Sequence, residues 1–423
     1  KENHFNMKKL KIISLYLIVI SLILSSCHPN IQAGKNKDTS SKSSSDNLLG
    51  IQLHTKPYNH FRGKMENFPS YDDDYNTMDN ETFDLREYDL SNLDLNSNLP
   101  ELLYCIFDST TVWPEKMPKE FVPIEIMEKG KNPGLQVKKL HKEGFTGKGI
   151  SIGIIDGPIL TEHKEFKDSL VYYNHIGPET SDETLAYKER FHGNAVASLL
   201  AGKNVGVAPE VNLYYVAASA GPDKNHPTYE YYAQAIHMLL DLNKHLPDQD
   251  KIRAISVSWS LDEEGTPFAK EARNAVQRAI DENVPVFFPD MYSYMPIHYC
   301  SGADRNPLED PDKPSSYSLG TWEKENYDGH KDGILFPMDS RSFASQTGVN
   351  DYVWMRHGGW SWVMPYITGL YAICLQINST LSVAEFSDAI VTTADTIIVD
   401  NLGSQVPIIL VNPVELIKYF SEK

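Results

Sequence analysis

From about Pro133 onward, short β-branched apolar runs alternate with longer stretches of helical period, and this alternation constrains the chain more than any other feature. Ile150 to Ile155, Val211 to Val216, Ala254 to Trp259, Val284 to Phe288 and Ile334 to Phe336 read as strands. Leu135 to Glu143 reads as a short helix broken by Gly144 and Gly147. Ala195 to Ala201, Tyr229 to Asn243, Phe268 to Asp281, Ser361 to Ile377 and Val383 to Thr393 read as further helices. Strands that are apolar along their whole length must be covered on both faces. The pattern therefore predicts an α/β three-layer sandwich around a mostly parallel sheet. Ligands of such sheets bind beyond the carboxyl ends of the strands, so polar residues that follow strands are the first candidates for a site.

Length and charge narrow the rest. The 423 residues suffice for one large core with appendages. A formal net charge of -18 excludes nucleic acid as the main partner, because phosphate binding needs clustered Lys and Arg. Asp72-Asp73-Asp74 and the run from Asp79 to Asp94 read as solvated acidic surface. Of the four cysteines, Cys27, Cys105, Cys300 and Cys374, no two form a Cys-x-x-Cys pair, so no zinc site is expected. Asp84-Leu85, Asp89-Leu90 and Asp94-Leu95 recur every five residues, a repeat read as too short to stack into a stable array.

The N-terminus reads as an address. Met7-Lys8-Lys9-Leu10-Lys11 is basic, and Ile12 to Leu24 is an almost unbroken apolar run. It is shorter than the ~20 residues a membrane-spanning helix needs, and fits a signal-peptide core. Leu24-Ser25-Ser26-Cys27 resembles the lipobox of bacterial lipoproteins, in which the cysteine is lipidated and becomes the new N-terminus. Residues 1-6 precede a more natural start at Met7 and read as upstream sequence translated in frame. The expected organisation is a signal region over 1-27, a flexible tether over 28-50, an N-terminal extension or prodomain over 51-132, and a catalytic domain over 133-423.

Three polar residues stand where the strand pattern directs attention. Asp156 follows the strand Ile150 to Ile155 directly, and alone would pass for a turn aspartate before Gly157-Pro158. His192 stands at the predicted start of a helix, where the dipole favours a neutral imidazole. Ser361 opens another helix, with Pro365 at its first turn, and alone would pass for an N-cap. The order Asp, His, Ser along the chain is the subtilisin order of a serine triad.

The flanking segments resemble the subtilase family of serine peptidases over about residues 133 to 412. These are Gly144-Phe145-Thr146-Gly147-Lys148-Gly149, Ile154-Ile155-Asp156, His163 with Phe166, and Gly206-Val207-Ala208-Pro209. Ser256-Val257-Ser258-Trp259-Ser260 and Gly359-Trp360-Ser361-Trp362-Val363-Met364-Pro365 complete the likeness. The resemblance implies a subtilisin-like fold and a serine endopeptidase, monomeric, with a peptide or protein as substrate. It assigns Asp156, His192 and Ser361 as the triad and Ser258, Trp259 and Ser260 to the substrate groove. No cofactor is required; structural calcium is common in the family, but no clear motif for it is present.

Four departures from the family pattern stand out. Gly157-Pro158 follow the aspartate, Ala195 replaces a second histidine, and Trp360 replaces a small residue before the nucleophile. The family's oxyanion Asn is missing from Val284-Pro285-Val286-Phe287-Phe288-Pro289-Asp290-Met291-Tyr292, where Tyr292 or Asp290 takes its place. A Tyr hydroxyl donates, whereas an ionised Asp does not, so slow or narrowly specific proteolysis is expected. The alternative is a catalytically impaired subtilase that binds peptides or regulates another peptidase. An α/β-hydrolase is excluded by Val363, which stands where Gly-x-Ser-x-Gly requires glycine. Met291 to Gly333 reads as a long irregular loop.

The lipobox reading carries its own test. Cys27→Ser is expected to move the protein from the membrane fraction to the soluble one and to abolish incorporation of a labelled fatty acid.

Overall fold

The computed structural model describes residues 57–58, 62–69, 83–178, 180, 183–221, 226–261 and 263–422. Cys27 with its signal region, the tether over 28–50 and Asp72-Asp73-Asp74 lie outside the described residues.

The predicted sheet is present. Five parallel strands lie in the order Leu170–Ile176, Asn212–Ala218, Ser151–Asp156, Ile252–Val257 and Val286–Phe287. The central strand Ser151–Asp156 is buried at every residue, as continuous apolar sequence requires. Its two neighbours connect away in opposite directions, so its carboxyl end is the point where the strand order reverses. Asp156 is the last residue of that strand. Helices Glu183–Ala201, Glu230–His245, Ala269–Asp281 and Trp360–Ile377 pack on the sheet strands or on one another.

Three readings need correction. Ile334–Pro337 belongs to a second sheet, ordered Tyr317–Leu319, Cys300–Arg305, Ile334–Pro337, Ser404–Leu410 and Asp395–Asn401. The stretch Met291 to Gly333 is no irregular loop: it contributes Cys300–Arg305 and Tyr317–Leu319 to that sheet, and helix Thr321–Glu325. Its polar residues misled because Ser301 and Arg305 are buried and satisfied by hydrogen bonds rather than by water. The third correction concerns the five-residue repeat. Leu85, Leu90 and Leu95 are all buried, and Asp84, Asp89 and Asp94 pair in parallel with Ile106, Val112 and Lys116. The repeat is one coil stacked on the next, with Gly63–Lys64 paired to Tyr88–Asp89. It holds because the main domain closes it, which a count of repeats does not take into account. Within it Asp84 is paired with Arg62 and Arg86, and Glu87 is buried, so this part of the acidic run is not solvated surface.

The closure is a third, antiparallel sheet. Ile106–Asp108 pairs with Tyr352–Met355, which pairs with Arg341–Ala344. Phe107 stacks on Trp354 at 5.2 Å and meets Trp113 edge-on at 5.1 Å. The coil's leucines belong to the same continuous core as the central strand.

Leu90→Ala is therefore expected to lower the unfolding free energy by about 2–5 kcal/mol, the usual cost of a cavity at a buried leucine. Urea unfolding followed by far-UV circular dichroism should show one transition moved as a whole. A separate early transition for the coil would contradict the shared core.

Candidate active site

Strand pairing places Asp156 at the lip of the sheet, and the histidine helix brings a basic group to it. His192 Nδ1 lies 2.7 Å from Asp156 Oδ1, and the carboxylate side chain is 3% exposed. The same Oδ1 accepts the Gly157 N–H at 2.8 Å, so the turn aspartate and the histidine partner are one residue. Gly157 and Gly193 make the approach possible. A Cβ on Gly157 would lie 2.2 Å from the Glu189 carbonyl oxygen, and one on Gly193 would lie 2.2 Å from the Gly157 carbonyl oxygen. Glycine after the aspartate, a departure from the family pattern, is thus what lets the turn seat on the helix.

The expected position of His192 is wrong in one respect. The helix runs Glu183–Ala201, so His192 stands in its middle and not at its start. The polar stretch before Phe191 hid the first half of the helix, which is only half buried. The dipole argument falls with it. Burial works against the charged imidazole, but the Asp156 charge and hydrogen bond outweigh burial and hold the pKa above its ordinary value. Burial and the neighbouring Asp156 also push the Glu189 carboxyl up to about 7, although it accepts the Ala220 N–H at 3.2 Å.

Ser361 is the second residue of helix Trp360–Ile377, whose N-cap is Gly359. It caps nothing. Its hydroxyl donates to the Ser258 carbonyl at 3.2 Å, and the Ser258 hydroxyl donates to the Ser361 carbonyl at 2.8 Å. Pro365 explains the exchange. It is the sixth helical residue, not a first-turn one, and its missing N–H would have paired with the Ser361 carbonyl. That carbonyl is left for Ser258. The Ser361 N–H, in the first turn, has no carbonyl one turn back.

His192 and Ser361 meet through Trp362, which is 3% exposed. Its ring centroid lies 5.4 Å from that of His192 and 5.0 Å from that of Phe343. Trp362 thus packs the core, whereas Trp360 is half buried among Tyr299 and Trp322. The Ser361 hydroxyl lies on Ser258 rather than on His192 in this state.

The remaining predicted residues fall around this centre. Ser258 touches Ser361 directly. Ser260 donates to Asp290 at 2.5 Å, and Trp259 stacks on Tyr232 at 6.3 Å. Tyr292 is 44% exposed, and its ring meets Tyr299 at 5.5 Å. Asp290 is therefore tied by Ser260 to the strand exit that holds Ser361. His163, taken from the family pattern, donates from Nε2 to the Asp351 carbonyl at 2.9 Å and stacks on Phe166. No group of three or more His, Cys, Asp or Glu residues that could hold a metal occurs among the described residues.

Sequence reasoning missed the brace behind the serine. The Gly358 N–H donates to Asp339 Oδ1 at 2.7 Å, and Arg356 grips Asp304 with both terminal nitrogens at 2.5 and 3.1 Å. Although burial pushes the Asp304 carboxyl up, the Arg356 guanidinium beside it holds it well below the usual carboxylate range. Nothing in the chain flags partners 52 residues apart.

Comparison with known proteins leads to one family. Residues 147–319 match the model of the subtilase family, a span that contains Asp156 and His192 and ends before Ser361. The subtilisin-like protease PopC of Myxococcus xanthus (strain DK1622) is 22% identical over 284 residues, covering 60% of this chain and 57% of that protein. The chain thus spans little more than half the length of this curated relative. Among solved structures, the protease domain of PatA superposes with a TM-score of 0.46 at 18% identity, covering 66% of this chain and 98% of that one. The prenylagaramide maturation protease PagA gives 0.45 at 17%, covering 68% and 99%.

Replacing Asp156 by Asn removes the charge that raises the His192 pKa and leaves the burial that lowers it. The imidazole is expected to titrate below its ordinary value, followed by histidine ring-proton NMR. An unmoved pKa would show that Asp156 is not the cause.

Proposed function

From the match of residues 147–319 to the subtilase family model, we propose that this chain is a serine endopeptidase with Asp156, His192 and Ser361 as its triad. The observation that carries the reading is the 2.7 Å contact of His192 Nδ1 with buried Asp156, at the carboxyl end of the central strand.

The chemistry follows from the residues. Asp156 takes the Nδ1 proton side of the imidazole, which leaves Nε2 as the base. His192 removes the Ser361 proton as the hydroxyl turns from the Ser258 carbonyl, and the serine oxygen attacks a peptide carbonyl. His192 then protonates the leaving amine, and water hydrolyses the acyl-enzyme with His192 again as base. The Ser361 N–H serves the developing oxyanion, with Tyr292 or Asp290 as the side-chain candidates. Ser258, Trp259 and Ser260 line the groove for a peptide or protein substrate. The lipobox-like Cys27 supports a lipid-anchored, extracytoplasmic location. The reaction needs no cofactor, and we place no calcium in it. We take the working unit to be a monomer.

A second reading, a peptide-binding or regulatory subtilase without turnover, is favoured by two observations. The Ser361 hydroxyl lies on Ser258, and the strand exit Val284 to Tyr292 lacks Asn.

A fluorophosphonate probe separates the two. Wild type is expected to label at one serine, and Ser361→Ala or His192→Ala to lose labelling by several orders of magnitude. Because the neutral imidazole is the active form and its pKa is raised, the rate should fall as pH drops through a value above the ordinary histidine pKa. Absence of labelling in a folded wild-type sample would sink the peptidase reading.

A further inference from the structure

The helix that carries His192 is held unevenly. From Gly193 to Ala201 the helix runs into the core, with Ala195 to Ala201 buried throughout, whereas Leu185 to His192 are all only partly buried. His192 is thus at the point where the core takes over, and the core by itself anchors only the half that follows it.

The coil supports the other half. The Arg86 guanidinium lies over the Phe191 ring at 4.6 Å and the Tyr187 ring at 5.6 Å. Tyr187 and Phe191 are one turn apart, so both rings stand on one helix face. Arg86 is fixed by a two-point bond to Asp84, with Nε to Oδ1 and Nη2 to Oδ2 both at 2.8 Å. Arg62 adds a second cation to that carboxylate at 2.7 Å. Glu87, 2% exposed, accepts the Tyr187 hydroxyl at 2.9 Å. Its backbone is in the left-handed region at φ 61°, which turns two consecutive charged residues toward the same helix. Phe191 then meets Phe343 edge-on at 5.3 Å, Phe343 meets Trp362 at 5.0 Å, and Trp362 meets His192 at 5.4 Å. A continuous packed path runs from Arg86 to both the histidine and the residue after the serine.

We propose that the coil of residues 83–117 is a standing part of the catalytic unit, in which Arg86 and Glu87 are positioning residues that hold His192 against Asp156. The proposal rests on the peptidase reading of Asp156, His192 and Ser361. It assigns the coil a role opposite to that of a prosegment, which is discarded once the enzyme is mature. A semi-buried charged cluster is an inefficient way to gain stability compared with apolar packing, but its fixed geometry sets orientation well.

The test uses the full chain and the rate of fluorophosphonate labelling across pH. Asp156 is the charged group that meets His192, with Glu189 on the same helix close to Asp156. Arg86→Met is expected to slow labelling of the folded protein by roughly ten- to a hundred-fold, the scale on which small misplacements act. It should also move the acid limb to lower pH, since an imidazole held less firmly by Asp156 loses its proton more easily. Tyr187→Phe keeps the ring, drops the Glu87 bond, and should give a smaller shift of the same sign. Arg86→Lys keeps the charge without the planar fork and should fall between wild type and Arg86→Met. Thermal unfolding of each variant gives its folded fraction. The proposal is overturned if the rate falls only with that fraction while the limb stays fixed, or if a labelled, active species lacks residues 83–117. If wild type does not label at all, the peptidase reading fails. The coil is then judged by the His192 pKa from NMR in wild type and Arg86→Met, where equal values overturn it.

Discussion

Burial of the serine helix governs the site. Trp362 to Leu375 are buried without interruption, and the helix touches the parallel sheet, the second sheet and the histidine helix. A helix apolar all round must be enclosed, and enclosure by three bodies leaves it no freedom to slide. The one weakness in its backbone is Pro365, which withdraws the donor for the Ser361 carbonyl. The fold supplies the missing donor from Ser258, at the exit of a neighbouring strand. The same interruption that unpairs the serine carbonyl thus ties the serine to the strand exit that the family pattern assigns to the groove.

Charge enters where apolar packing stops. The approach to the serine is braced by Asp339 on the Gly358 N–H and by the Arg356–Asp304 pair. The outer half of the histidine helix is braced by Arg86, Asp84 and Glu87. Buried ion pairs return little net stability, because desolvation offsets the Coulomb gain. Their directional bonds nonetheless fix orientation, and both clusters brace segments that lead into site residues.

Much of this was legible in the chain. The continuous apolar strands required a doubly covered parallel sheet, and Asp156, at the end of one of them, required no tertiary information to be singled out. The helices beginning near Tyr229, Phe268, Ser361 and Val383 stand where their periodicity put them, within a residue or two. What failed did so for identifiable reasons. The first half of the histidine helix is half exposed and mixed in polarity, so it shows no apolar stripe. The strand Leu170–Ile176 is mixed for the same reason, as the edge of its sheet. Cys300–Arg305 carries Ser301, Asp304 and Arg305 in a buried sheet, because their partners sit on other elements.

The sequence by itself determined the class of fold, the order of the three site residues, and the elements that carry them. These depend on periodicity and on neighbours along the chain. Only the tertiary structure decided that the imidazole is held above its ordinary pKa, that the serine hydroxyl lies on Ser258, and that a five-residue repeat becomes a coil closed by Trp354 and its strand. Each of these rests on contacts between residues far apart in sequence, whose energies depend on distance and burial, and neither quantity exists until the chain has folded.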